Sequence, residues 1–259
     1  MRTTAAPAIL MFGLALACDG AVQADEIVTD ANIVTGLDIS DSITLDDLHL
    51  EIMGMAEAIR SPQILEAIRS GPHGRIGFAV FAWHYNQFPV AVSWTLIASA
   101  DDADAVSRAI EARLKIDVEA EARKAEEFRV GRLSTYIGRL TDLSQAIDHA
   151  GAMLAAAPYA TDRAVINIVG DGEDNVGEDA ELARDRVVKT GAIVNGVVIG
   201  NDLGMVDYYR NHAIGGRGAF VMSVNRSQSM IEAMQRKFMY DIAMGGLPCA
   251  SSDEKCVLP

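Results

Sequence analysis

Short apolar runs alternate along this chain with longer stretches in which apolar residues recur every three to four positions. The runs are Ile33–Leu37, Arg75–Trp83, Phe88–Ile97, Arg163–Val169, Ala192–Ile199 and Ala219–Val224. Each is of strand length, and continuous apolar character marks a strand covered on both faces. Between them, Leu45, Leu48, Ile52, Met55, Ala56 and Ile59 form one stripe of a helix over Leu45–Arg60. Ser61-Pro62 breaks it, and Gln63–Arg69 reads as a further turn or two. Helical spacing returns over Asp101–Phe128, Tyr136–Ala157, Ala180–Thr190, Asp202–His212 and Ser227–Met244. In the second of these, Ile137, Leu140, Leu143, Ile147 and Leu154 point inward. His84-Tyr85-Asn86-Gln87 separates two β-rich runs and reads as a hairpin. The alternation predicts an α/β fold: a single doubly wound, mainly parallel sheet with one antiparallel edge hairpin and helices on both faces. Trp83 and Trp94 are expected in the core or at its rim.

The ends of the chain read differently. Residues 1–24 carry Arg2, then the apolar run Ala8–Ala17, then Val22-Gln23-Ala24 before the acidic Asp25-Glu26. That pattern is a secretory signal peptide cleaved after Ala24, which makes the protein exported, periplasmic or secreted. A lipoprotein acylated at Cys18 is the alternative, with Ala15-Leu16-Ala17 a poor match to the required pattern. The α/β domain is then 25–245 and the tail 246–259. No later run is long and apolar enough for a membrane span. With Cys18 removed, Cys249 and Cys256 remain of the 3 cysteines. In an oxidising compartment they read as a disulfide worth about 2–3 kcal/mol. Two free thiols are the other reading.

Charge narrows the function classes. The 259-residue chain has a formal net charge of −14 and no basic tract. Neutralisation of nucleic-acid phosphates and docking on anionic lipid are therefore excluded as leading readings. An acidic surface favours cations.

The chemistry concentrates where strands end. Ile33–Leu37 runs into Asp38-Ile39-Ser40-Asp41-Ser42. In extended backbone, residues two apart share a side, so Asp38, Ser40 and Ser42 can converge past the strand's carboxyl end. Turn and capping duty is the plainer account of such residues. Thr135 stands in a loop with Gly138 three residues on, and Asp171 follows a buried strand in Gly170-Asp171-Gly172. If these loops share one edge of a parallel sheet, carboxylates and hydroxyls meet there without histidine or thiolate. An all-oxygen set suits a hard cation, Mg2+ first, with Mn2+ or Ca2+ as alternatives. An open coordination position could take a carboxylate from a partner. Glu173 and Asp174 are read either as groups orienting a serine or water, or as turn and capping residues.

The order Asp-x-Ser-x-Ser, Thr-x-x-Gly loop, strand ending in Asp-Gly resembles the von Willebrand factor A domain. In that family the three segments form the metal-ion-dependent adhesion site, or MIDAS. The matching positions are Asp38, Ser40 and Ser42; Thr135; and Asp171. Other stretches resemble a bacterial branch of exported proteins of unknown function with this fold. They are the Arg-Ile-Gly strand with Trp83, Ser93–Ile97, Gly170-Asp171-Gly172, Asn195-Gly196, and Ile214-Gly215-Gly216 leading to Phe220. The resemblance covers roughly Ile33 to Ile242. Arg132-Leu133 departs from it, standing where small residues often precede the Ser/Thr-Thr pair. The resemblance implies a module that binds an Asp or Glu of a protein or peptide through the cation. The alternative is a Mg2+-dependent hydrolase, phosphatase-like, using the same carboxylates. Against it stand the absence of an Asp-x-Asp nucleophile pair near these strand ends, of a Walker loop, of a Gly-x-Ser-x-Gly elbow and of a His-Glu-x-x-His helix.

Overall fold

The computed structural model describes residues 26–40, 45–129, 140–200, 202–224, 229–243 and 256–258. The elements in chain order are β1 (Asn32–Asp38), α1 (Leu45–Ile59), α2 (Pro62–Arg69), β2 (Ile76–Trp83), β3 (Val90–Ile97) and α3 (Ala100–Arg129). Then come α4 (Leu143–Ala155), β4 (Ala164–Gly170), α5 (Ala180–Val188), β5 (Ile193–Ile199) and α6 (Leu203–Tyr208). A π-helical turn (Tyr209–Ala213), β6 (Phe220–Val224), α7 (Met230–Ala243) and β7 (Cys256–Leu258) complete them. The strands form one sheet in the order β3-β2-β1-β4-β5-β6-β7. Six strands carry it, and β7 adds three residues at the edge beside β6. Among the described strands, β2 and β3 are the one antiparallel pair. The α/β class, the parallel sheet and the edge hairpin are those the sequence predicts.

Alternating side chains of the strands feed two layers. Ile33, Leu37 and Val169 face the layer of α1, α2, α3 and α7, with Ile52, Met55, Ile64 and Phe238. Val34, Ile166 and Ile168 face α4, α5 and the π-turn, with Leu143, Ile147, Ala183 and Tyr209. All of β1 is buried, as a strand near the middle of a doubly covered sheet must be. Trp83 is fully buried, and Trp94 is half-buried with its Nε1–H donating to the Met153 carbonyl at 2.9 Å.

The first layer contains a buried polar network. Lys237 and Asp241, one turn apart on α7, are both fully buried and pair at 2.6 Å. Lys237 also donates to Asn167 Oδ1 on β4. Asn167 Nδ2 donates to Asp241 Oδ2 at 2.8 Å, and Asn195 Nδ2 to Asp241 Oδ1 at 3.2 Å. Burial pushes Lys237 from its ordinary 10.5 to about 8, with the Asp241 carboxylate opposing. A buried charge is tolerated when it is paired and its remaining hydrogen bonds are filled. Here the filling groups come from two strands, so the network ties α7 to the middle of the sheet.

Three local departures from the sequence reading have physical causes. Leu140–Asp142 is not helical, and α4 begins at Leu143. Asp142 caps it, its side chain accepting from the Gln145 N–H at 3.0 Å. The stretch Asp202–His212 splits into α6 and the π-turn. The end of the tail is a strand, β7, paired parallel to β6 from Phe220↔Cys256 to Met222↔Leu258. Cys249 lies outside the described residues.

Candidate metal centre

β1 has β2 on one side and β4 on the other, and the connection leaving β1 runs over the α1 face of the sheet while that leaving β4 runs over the α5 face. In an open α/β sheet that divergence opens a crevice beyond the carboxyl ends of the strands. Asp38 is the last residue of β1, in register with Trp83 of β2. Leu37 is in register with Val169, which places Asp38 beside Gly170 of β4.

Asp38 is fully buried, and Ser40 is 2% exposed. The Ser40 N–H donates to Asp38 Oδ1 at 2.8 Å. Asp38 Oδ2 is buried without a hydrogen-bond partner among the described residues. Burial pushes the Asp38 pKa from its ordinary 3.8 to about 7. The Ser40 N–H and hydroxyl pull it down, and the charge of nearby Asp171 pushes it further up. A buried carboxylate with one unpaired oxygen and a second carboxylate close by is a costly arrangement unless a cation joins them. Asp171 itself is half-buried, directly after Gly170.

The loop after β4 is stitched to the segment before α4. Asn175 N donates to the Thr141 carbonyl at 3.0 Å, and Thr141 N to Asn175 Oδ1 at 2.9 Å. Asp174 Oδ1 accepts from Leu143 N at 2.9 Å, while Asp174 N donates to Tyr208 Oη at 3.1 Å. Burial pushes Asp174 up to about 7, with the Leu143 N–H opposing. Asp174 therefore serves the start of α4, and Glu173 is exposed. Thr141 is 3% exposed. Its hydroxyl leans over Gly172, where an added Cβ would lie 3.0 Å from Thr141 Oγ1. A hydroxyl is thus held one residue from Asp171, on the loop that precedes a helix.

Of the residues singled out in the sequence, the structure brings Asp38, Ser40 and Asp171 to one edge. Ser42 and Thr135 lie outside the described residues. Thr141 escapes the sequence reading, although a signal for it is present. Asp142-Leu-Ser-Gln145 has the spacing of a capping box. That spacing starts α4 at Leu143 and leaves Thr141 in the loop. Tyr209 escapes it as well. It is fully buried, and burial and then the Asp38 and Asp171 charges raise its pKa well above the ordinary 10. Nothing in its sequence neighbourhood marks it, because the π-turn that aims it inward has no local code. No cluster of three His, Cys, Asp or Glu side chains suited to a metal occurs among the described residues. The oxygens gathered at this edge belong to the Asp38 and Asp171 carboxylates and the Ser40 and Thr141 hydroxyls.

Comparison with solved structures identifies the architecture. Proximal thread matrix protein 1 from the mussel byssus gives a TM-score of 0.55 at 15% identity, over 85% of this chain and 50% of that one. Another structure of it, described as having a zinc occupied MIDAS motif, gives 0.52 at 14% identity, over 85% and 50%. A von Willebrand factor type A protein from Catenulispora acidiphila gives 0.50 at 15% identity, over 83% and 43%. At such identities the likeness is one of fold, and this chain spans about half the length of the mussel protein. A search of curated protein sequences finds no match. The fold is von Willebrand factor A-like, and the chain belongs to the family described as "Protein of unknown function (DUF1194)", whose model matches residues 28–125 and 114–245.

Proposed function

We propose that this protein is an exported, cation-dependent binding module. Asp38, Ser40, Thr141 and Asp171 hold a divalent cation, Mg2+ in first place, with Ser42 completing the set. Thr141 is the hydroxyl we assign to the middle segment, in the role that the sequence pattern gives to Thr135. The observation that carries the reading is Asp38: a fully buried carboxylate whose Oδ2 has no partner, beside a second carboxylate at the sheet's switch point. Oxygen donors without nitrogen or sulfur favour a hard ion that keeps several waters. One of those waters is exchanged for an Asp or Glu of a protein or peptide partner, which makes binding depend on the ion. The signal peptide at residues 1–24 delivers the module outside the cytoplasm. No helix among the described residues is long and apolar enough to cross a membrane.

Calorimetric titration of the mature chain with Mg2+ and Mn2+ tests the site. One ion per chain is expected, with binding abolished in Asp38→Ala and Asp171→Ala while the folded circular-dichroism spectrum persists. Flat titrations of the wild type would refute the reading. Turnover of a generic phosphate ester, lost in Asp38→Ala, would replace it with a hydrolase.

A further inference from the structure

Tyr209 opens the π-helical turn, whose closing bond runs from the Ile214 N–H to the Tyr209 carbonyl at 2.9 Å. Such turns are rare and gather at functional sites. Adjacent tyrosines are sent to different places by it. Tyr208 Oη accepts from the Asp174 N–H at 3.1 Å and serves the loop after β4. Tyr209 enters the core, and its hydroxyl has no hydrogen-bond partner among the described residues. Asp38 Oδ2 is in the same condition.

These oxygens converge on one residue. A Cβ added at Gly170 would lie 2.9 Å from Tyr209 Oη and 3.1 Å from Asp38 Oδ2. Glycine at 170 is what lets the phenol and the carboxylate approach each other over the end of β4. One of the oxygens can donate and the other can accept. Each unpaired buried polar group costs roughly 1–3 kcal/mol. The terminal torsion of an aspartate is soft, so the carboxylate is free to turn toward the phenol.

We infer that Tyr209 is a positioning residue of the cation site, its hydroxyl donating to Asp38 Oδ2 and orienting that carboxylate when the ion is held. The inference rests on the binding reading above. It gives the π-turn a purpose, since the turn carries a donor to a metal-ligating carboxylate from outside the three loop segments. Groups that hydrogen-bond a metal ligand typically change metal affinity by about 10–100-fold.

The test uses the mature chain and Mn2+ alone. Wild type, Tyr209→Phe and Tyr208→Phe are compared by calorimetry with Mn2+ and by thermal melts in chelator. Phenylalanine at 209 keeps the ring and removes only the oxygen. Tyr209→Phe is expected to weaken Mn2+ binding by about tenfold. In chelator it should melt no lower than wild type, because the hydroxyl it loses has no hydrogen-bond partner among the described residues. Tyr208→Phe should show the opposite signature, a lower melt in chelator from the lost acceptor of the Asp174 N–H. Mn2+ affinity within twofold of wild type in Tyr209→Phe would overturn the inference and leave the cation site standing. Absence of Mn2+ binding by the wild type would overturn the site itself, and the inference with it.

Discussion

Replacing Asp38 by asparagine should make the metal-free protein more stable at neutral pH and less responsive to Mg2+. The amide keeps the shape and the acceptor for the Ser40 N–H, and it removes the buried charge. The folded-state pKa of Asp38 is raised, from 3.8 to about 7. Between those values the folded protein retains a proton that the unfolded chain has lost. Stability contributed by this group is therefore fully present below about pH 4 and falls as pH rises to about 7. From pH 5 upward the fall spans about 2 pH units at about 1.4 kcal/mol each, or about 3 kcal/mol. Asparagine does not titrate, so the stability gap between variant and wild type should widen by about 3 kcal/mol between pH 5 and pH 8. In melting temperature that is about 6–12 °C for a domain of this size. Chemical denaturation in chelator at both pH values reads the gap directly, since other titrating groups are common to both proteins. Mg2+ at about 100 times its Kd adds about 2.7 kcal/mol to the wild type and should cancel most of that widening at pH 8. A gap that stays constant or narrows with rising pH would refute the reasoning.

Other perturbations separate the site from the scaffold. Thr141→Val replaces the hydroxyl by a methyl group of the same size; Mg2+ affinity by calorimetry should fall about tenfold with the fold retained. An unchanged affinity would remove Thr141 from the donor set. Lys237→Met leaves the fully buried Asp241 carboxylate with only amide donors. Breaking a buried pair on one side costs about 3–5 kcal/mol, so the melt should drop by roughly 10 °C, and an unchanged melt would contradict the network's role. Asp142→Ala removes the cap of α4, with a loss of about 1 kcal/mol or more in denaturant titration.

Much of the fold can be read from patterning alone, because its strands are buried on both faces and so appear as unbroken apolar runs. Asp38 is legible for a related reason, since strand alternation reaches the end of β1, and Ser40 stands two residues on, where its N–H turns back to Asp38 Oδ1. Asp171 is legible from the glycine turn that ends β4. What escapes depends on contacts between distant segments. Thr141 sits over Gly172 only because the loops before α4 and after β4 are stitched together by Asn175 and Asp174. The helical periodicity of Leu140 and Leu143 conceals the loop that a capping aspartate ends. Tyr209 reads as an ordinary apolar-face residue, and its approach to Asp38 is visible only once Gly170 lies between them. β7 is three residues long, too short for any periodicity to mark it.

Cation-dependent binding requires a hard cation where β1 and β4 end. Anomalous scattering from a crystal of the mature protein grown with Mn2+ addresses it most directly. One strong peak is expected, bounded by Asp38, Ser40, Thr141 and Asp171 and absent in crystals of Asp38→Ala. A peak elsewhere on the molecule, or none in crystals that hold Mn2+ well above millimolar concentration, would contradict it.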